Sequence, residues 1–162
     1  MEKVELVLAV YPNARGFSFA LFEGPDFVVD WGIREVARSL RRECSLKCVG
    51  QLLNKYRPDI LVLRGMPGGL NAGLAQEFIG LSRRQGIPAM VISRKEMRRV
   101  FASLGKATRE AIASEIVQRL PVFAPFRPGR RKIWNGEDRR MGLFDAAALA
   151  FALFASRTGR QT

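Results

Sequence analysis

VLAVYPNARGFSFALFEG, residues 7–24, reads as an apolar strand, a tight turn and a second strand returning beside the first. Val4–Val10 forms the first run and Phe17–Phe22 the second. Pro12, Asn13, Ala14, Arg15 and Gly16 make the turn, where Gly16 is free to take positive φ. Phe17, Phe19 and Leu21 alternate with Ser18, Ala20 and Phe22, so both faces of the second strand are fairly apolar. Gly24-Pro25 punctuates the chain, and Phe27–Trp31 completes a three-stranded meander.

Downstream the pattern changes. Glu35–Tyr56 predicts a long helix, with Val36, Leu40, Cys44, Val49, Leu52 and Leu53 as its apolar stripe and Pro58 just past its end. Asp59–Arg64 is a continuous β-branched and leucine run, the signature of a strand buried on both faces and therefore central and parallel. Gly65–Gly73 reads as a glycine-rich loop without the Gly-Lys-Ser/Thr of a phosphate-binding P-loop, Leu74–Gln85 as a helix and Pro88–Ile92 as a fifth strand. Ser93 and Glu96 form a capping box for a helix from Arg94 to about Leu104. A further helix spans Thr108–Leu120, a long basic loop Pro121–Arg140, and a last helix runs from Gly142 or Leu143 to about Arg157. The order implies an α/β domain spanning 1–162, with no internal repeat and helices on the faces of a mixed sheet.

Composition bounds the chemistry. The chain has 162 residues, 48% of them apolar, enough for a full core. Its longest apolar candidate, Leu143–Ala155, is too short for a membrane span and holds Asp145. The N-terminus shows no basic n-region or cleavage site, so a cytoplasmic location is expected. There is no histidine, which removes Ser-His-Asp and Cys-His catalysis and the usual zinc ligands. Cys44 and Cys48 lie four apart on one helix face and are read as small structural residues.

The net charge of +12 is unevenly placed. Residues 1–82 carry ten Lys/Arg and nine Asp/Glu, whereas residues 83–162 carry 17 and six. Such asymmetry points to a polyanionic partner, with a merely solvated basic face as the plain alternative. Within FAPFRPGRRKIWNGEDRR (123–140), Arg127, Arg130, Arg131, Lys132, Arg139 and Arg140 interleave with Phe123, Phe126 and Trp134. Arginines for phosphates with aromatics for stacking is a nucleic-acid-binding pattern; the alternative has the aromatics anchoring the loop to the core. Arg94 and Arg98, with Lys95 and Arg99 nearby, offer a second strip of phosphate contacts.

The succession of elements resembles the ribonuclease H-like fold and, within it, the RuvC-type Holliday-junction resolvases. The resemblance covers nearly the whole chain and rests on the opening hairpin, PDILVLRGMP (58–67), RRQGIPAMVISRKEMRRVF (83–101), GKATREAIASEIVQRLP (105–121) and MGLFDAAALAFALFA (141–155). The last is the most specific, because an aspartate followed by small and apolar residues opens that helix in resolvases. The resemblance implies a five-stranded mixed sheet, three antiparallel strands then two parallel, flanked by helices. It also implies a homodimer, and carboxylates at the ends of the first and central strands and at the start of the last helix. There they would hold two Mg²⁺ or Mn²⁺ ions for hydrolysis.

Here those positions read Tyr11, Arg64 and Gly142, and only Asp145 keeps an acid. A guanidinium about 5 Å from a dication repels it by roughly 6–7 kcal/mol at an effective dielectric near 20. Arg64 is therefore expected either to pair with Asp145 or to clamp a phosphate, and Tyr11 to pack, with a hydrogen bond within the same cleft as its alternative. Glu137, Asp138 and Asp30 are the acids a relocated metal site could recruit. The leading expectation is a catalytically silent domain with no cofactor that binds nucleic acid, structured or branched DNA above all, through phosphates. One alternative is a Mg- or Mn-dependent endonuclease using Asp145 with Asp138 or Glu137. The other is a protein-interaction module without nucleic-acid binding.

Overall fold

Successive side chains of a strand face opposite ways, and this alternation divides the core in two. Along β1 (Leu6–Asn13), Val7 and Ala9 face one layer, Leu8 and Val10 the other. The computed structural model describes residues 4–13, 15–65, 70–103, 105, 108–127 and 140–159. β2 (Gly16–Glu23) lies antiparallel to β1, and β3 (Val28–Glu35) antiparallel to β2. β4 (Ile60–Arg64) runs parallel to β1, and β5 (Ala89–Ile92) parallel to β4. The resulting order, β3-β2-β1-β4-β5, is the mixed sheet expected from the sequence.

One face carries Leu8, Val10, Phe17, Phe19, Leu21, Leu61 and Leu63, packed with Val49 and Leu53 of α1 (Arg41–Tyr56) and Phe78 of α2 (Leu70–Arg84). The other carries Val7, Ala9, Ala20, Phe22, Ile60 and Val62. It is covered by α5 (Met141–Gly159), with α3 (Arg94–Ser103) and α4 (Arg109–Arg119) packed against α5. Ala9 and Ala20 are register partners, which leaves a shallow trough across the middle of that face. The run from Ala146 to Leu153 on α5, rich in alanine, is wholly buried in it. A helix apolar on all sides belongs inside a protein.

Gly16 closes the β1–β2 hairpin at φ 150°, where a Cβ would lie 2.0 Å from the Arg34 carbonyl oxygen. No other residue fits that approach. Thr108 caps α4, its hydroxyl accepting from the Ala111 amide at 3.1 Å.

Several boundaries differ from expectation. β1 continues through Pro12 and Asn13, because its pairing with β4 stops at Val10 and a missing N–H on a one-sided stretch costs little. β3 runs on to Glu35, held by pairing with β2 as far as Gly16. The helix expected from Glu35 therefore begins at Arg41, after a 3₁₀ turn at Arg38–Leu40, and Leu40 is 47% exposed rather than part of the apolar stripe. α2 starts at Leu70, so part of the glycine-rich stretch is helical. Pro121–Phe126, expected as loop, is a 3₁₀ helix with Phe123 fully buried. Among the described residues no helix is long and apolar enough to cross a membrane.

Candidate functional site

The same alternation decides what stands at the strand ends. Continuing Val7-Ala9 brings Tyr11 to the α5 face, and continuing Ile60-Val62 brings Arg64 there. Val10 and Leu63 are register partners in parallel strands, so Tyr11 and Arg64 emerge side by side at the carboxyl ends of β1 and β4. That is where α/β sheets place their ligand crevices. Arg64 donates through Nη1 to the Tyr11 hydroxyl, and its guanidinium carbon lies 5.5 Å from the Tyr11 ring centroid. Tyr11 thus takes the alternative to simple packing, a hydrogen bond within the cleft, because the strand register delivers a cation directly beside its hydroxyl.

Two helices complete the site. α3 follows β5 after a single residue, Ser93, whose hydroxyl accepts from the Glu96 amide at 3.1 Å. This short connection sets Arg94 at the first helical position and Arg98 one turn later, both lining the cleft, while Lys95 and Arg99 are exposed outside its lining. From α5, Met141, Phe144, Asp145 and Ala148 recur at three- and four-residue intervals and so share one face. Between these walls lies a cleft of about 520 Å³. Its rim holds the guanidinium groups of Arg64, Arg94 and Arg98, and its floor is apolar, built from Met97, Phe101, Ile112 and Phe144. Asp145 is half-buried just beyond the first turn of α5, where the helix dipole favours negative charge, and is engaged in the structure.

Among the described residues, those lining the cleft do not fit a divalent metal pair. Hard cations need several oxygen ligands, and the cleft offers one carboxylate against three guanidiniums. Gly142 adds a steric bar: a Cβ there would sit 2.5 Å from Oγ of Ser18, which is itself fully buried beneath the start of α5. An acidic side chain enters at 142 only if the Ser18 hydroxyl turns aside or the helix or strand gives way. Among the described residues no group of three Asp, Glu, His or Cys side chains could hold a metal ion. Asp30 faces the opposite side of the sheet, where Tyr56 donates to it at 2.5 Å; that bond raises the Tyr56 pKa. Glu137 and Asp138 lie outside the described residues.

The basic loop divides. Phe123 and Phe126 pack on Trp31, with ring centroids 5.3 and 6.3 Å from it, and Phe123 also meets Phe144 at 6.1 Å. These two rings anchor the chain to the core and are withdrawn from base stacking, contrary to the favoured expectation. Arg127 is exposed and donates to the Ser114 hydroxyl at 2.6 Å, on α4 rather than in the cleft. Arg140 directly precedes α5, its carbonyl accepting from the Leu143 amide at 3.1 Å. Arg130, Arg131, Lys132, Trp134 and Arg139 fall outside the described residues. The apolar floor went unread in the sequence. Met97, Val100 and Phe101 do show the helical spacing of a buried face, but the meeting of three helices does not register in any local pattern.

No family model matches the chain, and no curated protein matches it significantly. Solved structures do. RuvC of T. thermophilus in complex with a Holliday junction substrate superimposes with a TM-score of 0.67 at 14% identity, over 96% of each chain. The yeast mitochondrial Holliday junction resolvase Ydc2 gives 0.61 at 13% identity, over 95% of this chain and 82% of that one. The fowlpox virus Holliday junction resolvase gives 0.60 at 11% identity, over 93% and 99%. The fold is thus the ribonuclease H-like fold of RuvC-type resolvases.

Proposed function

From a RuvC-type scaffold whose cleft carries guanidiniums where a metal pair would need carboxylates, we propose that this chain binds DNA through its phosphates without cutting it. The observation that carries the reading is the convergence of Arg64, Arg94 and Arg98 on one cleft at the ends of β1 and β4. Each guanidinium presents a planar fork suited to phosphate oxygens, and each opposes a dication. The junction substrate bound by the structurally similar T. thermophilus RuvC supports branched DNA as the partner. The charge of residues 83–162 supplies a wider field that draws a polyanion toward the cleft. Binding of this kind weakens steeply with salt, because each neutralised phosphate releases counterions. A homodimer belongs to the same proposal and is checked by sedimentation equilibrium.

The test is a gel experiment with labelled four-way junction, duplex and single-stranded DNA, in Mg²⁺, Mn²⁺ or EDTA, comparing wild type with Asp145→Asn. The expected result is a shifted, uncut junction in every condition. Metal-dependent cutting that Asp145→Asn abolishes would overturn the reading and favour the endonuclease alternative built on Asp145. Absence of any shift would leave protein interaction as the function.

A further inference from the structure

A phosphate needs donors and charge; it does not need an oily floor. The cleft has both, and its two halves differ sharply in chemistry. Arg94 and Arg98 are exposed and Arg64 half-buried, three cations against the single carboxylate of Asp145, while Met97, Phe101 and Ile112 supply a more buried apolar lining. At about 520 Å³ it falls within the range of small-molecule sites and exceeds what a phosphate group fills. An apolar recess under a cationic rim selects an anion with a flat apolar body. Arg64 donates to the Tyr11 hydroxyl, with its guanidinium carbon 5.5 Å from the ring centroid, so a planar cation and an aromatic ring are fixed together in the cleft. Base stacking on arginine planes and aromatic rings is a general mode of nucleic-acid recognition.

We infer that the cleft takes one unpaired nucleotide of a DNA strand, base on the floor and phosphate at the rim. The inference rests on the proposed DNA binding and adds its selectivity. A paired base must first be unstacked to enter, and an extrahelical one need not, so DNA with an unpaired nucleotide is preferred over perfect duplex.

The experiment uses two duplexes of one sequence, with and without a single extrahelical 2-aminopurine, titrated with the full chain. Wild type is compared with Ala102→Trp and Arg94→Ala/Arg98→Ala. Ala102 is exposed on α3 and lines the cleft one turn after Arg98, so a tryptophan there blocks it without removing an arginine. Met97→Trp serves the same purpose should the first variant melt early. The expected result is about tenfold tighter binding of the bulged duplex by wild type, with a change in 2-aminopurine fluorescence. Ala102→Trp should lose this preference, binding the two duplexes alike, whereas the double arginine variant should weaken binding to both. Equal binding of the two duplexes by wild type, or a preference that survives both blocking variants, overturns the inference and leaves phosphate binding standing. Binding to neither duplex overturns the DNA-binding reading itself. Adenosine 5′-monophosphate and inorganic phosphate, each added at the DNA concentration, separate the sources. Displacement by the nucleotide alone would reassign the pocket to free nucleotides and overturn the strand-bound form.

Discussion

On the α1–α2 face of the sheet, Leu8, Val10, Leu61 and Leu63 lie fully buried beside Phe17, Phe19 and Phe78. On the α5 face, one residue further along the same strands, Tyr11 and Arg64 stand at the rim of a cleft. The faces are built from the same two strands, and strand parity alone separates Leu63 from Arg64. One face is sealed by large side chains, Phe17 meeting Phe78 edge-on at 6.1 Å. The other is covered by a helix of small residues and ends where that helix begins. A sheet can therefore keep its stability on one side while the chemistry of the other changes, provided the substitutions fall at strand ends.

The contrast is open to attack at several points. The largest effect is expected from Phe78→Ala on the sealed face, about 3–5 kcal/mol from lost burial and the cavity left behind, read as a shift in the urea midpoint. Arg64→Ala, at the rim, should change stability by less than about 1 kcal/mol in the same measurement. If the two losses are equal, the faces do not divide the work as described. Gly142→Asp comes next, at about 1–3 kcal/mol from the collision with Ser18, partly recovered by adding Ser18→Gly. It restores an acid at the start of α5, yet metal-dependent cutting should not appear, since Tyr11 and Arg64 are unchanged; a nuclease assay reads this. Arg94→Ala/Arg98→Ala should leave the melting temperature nearly unaltered and reduce the slope of log K against log salt by about 2.

The smallest effect belongs to Tyr56→Phe, at about 0.5–1 kcal/mol for the bond to Asp30. The folded-state pKa of Tyr56 is raised, chiefly by that bond, so its contribution is complete below the unfolded value near 10. It is lost as pH rises through the folded value. Wild type and Tyr56→Phe should therefore differ at neutral pH and converge in strong alkali, as measured by denaturation at each pH.

Legibility followed the physics of each element. The buried run Ile60–Leu63 announced a central strand, and Tyr11, Arg64 and Gly142 stand in the sequence where the resemblance implied acids. The second half of β3, Gly32–Glu35, carries little apolar alternation because it lies at the sheet edge, so the sequence reads as a strand ending at Trp31 and a helix beginning at Glu35. Phe123 and Phe126 looked like stacking residues because their partner, Trp31, is distant in sequence. The meaning of Gly142 emerges only from its distance to Ser18, since a bare glycine between Met141 and Leu143 carries no sign of what presses against it.

That last contact sets a dimension. α5 is a 19-residue rod seated in an alanine trough, and its first turn rests on Ser18 with no room for even a methyl group between them. The separation of Asp145 and Phe144 from Tyr11 and Arg64 is thus gauged by one glycine acting as a shim. Alanine or serine there would turn the Ser18 hydroxyl aside or lift the rod's leading end, and a lift would widen the gap for every residue on that wall together, so the bore of the cleft answers to a position that takes no part in its lining.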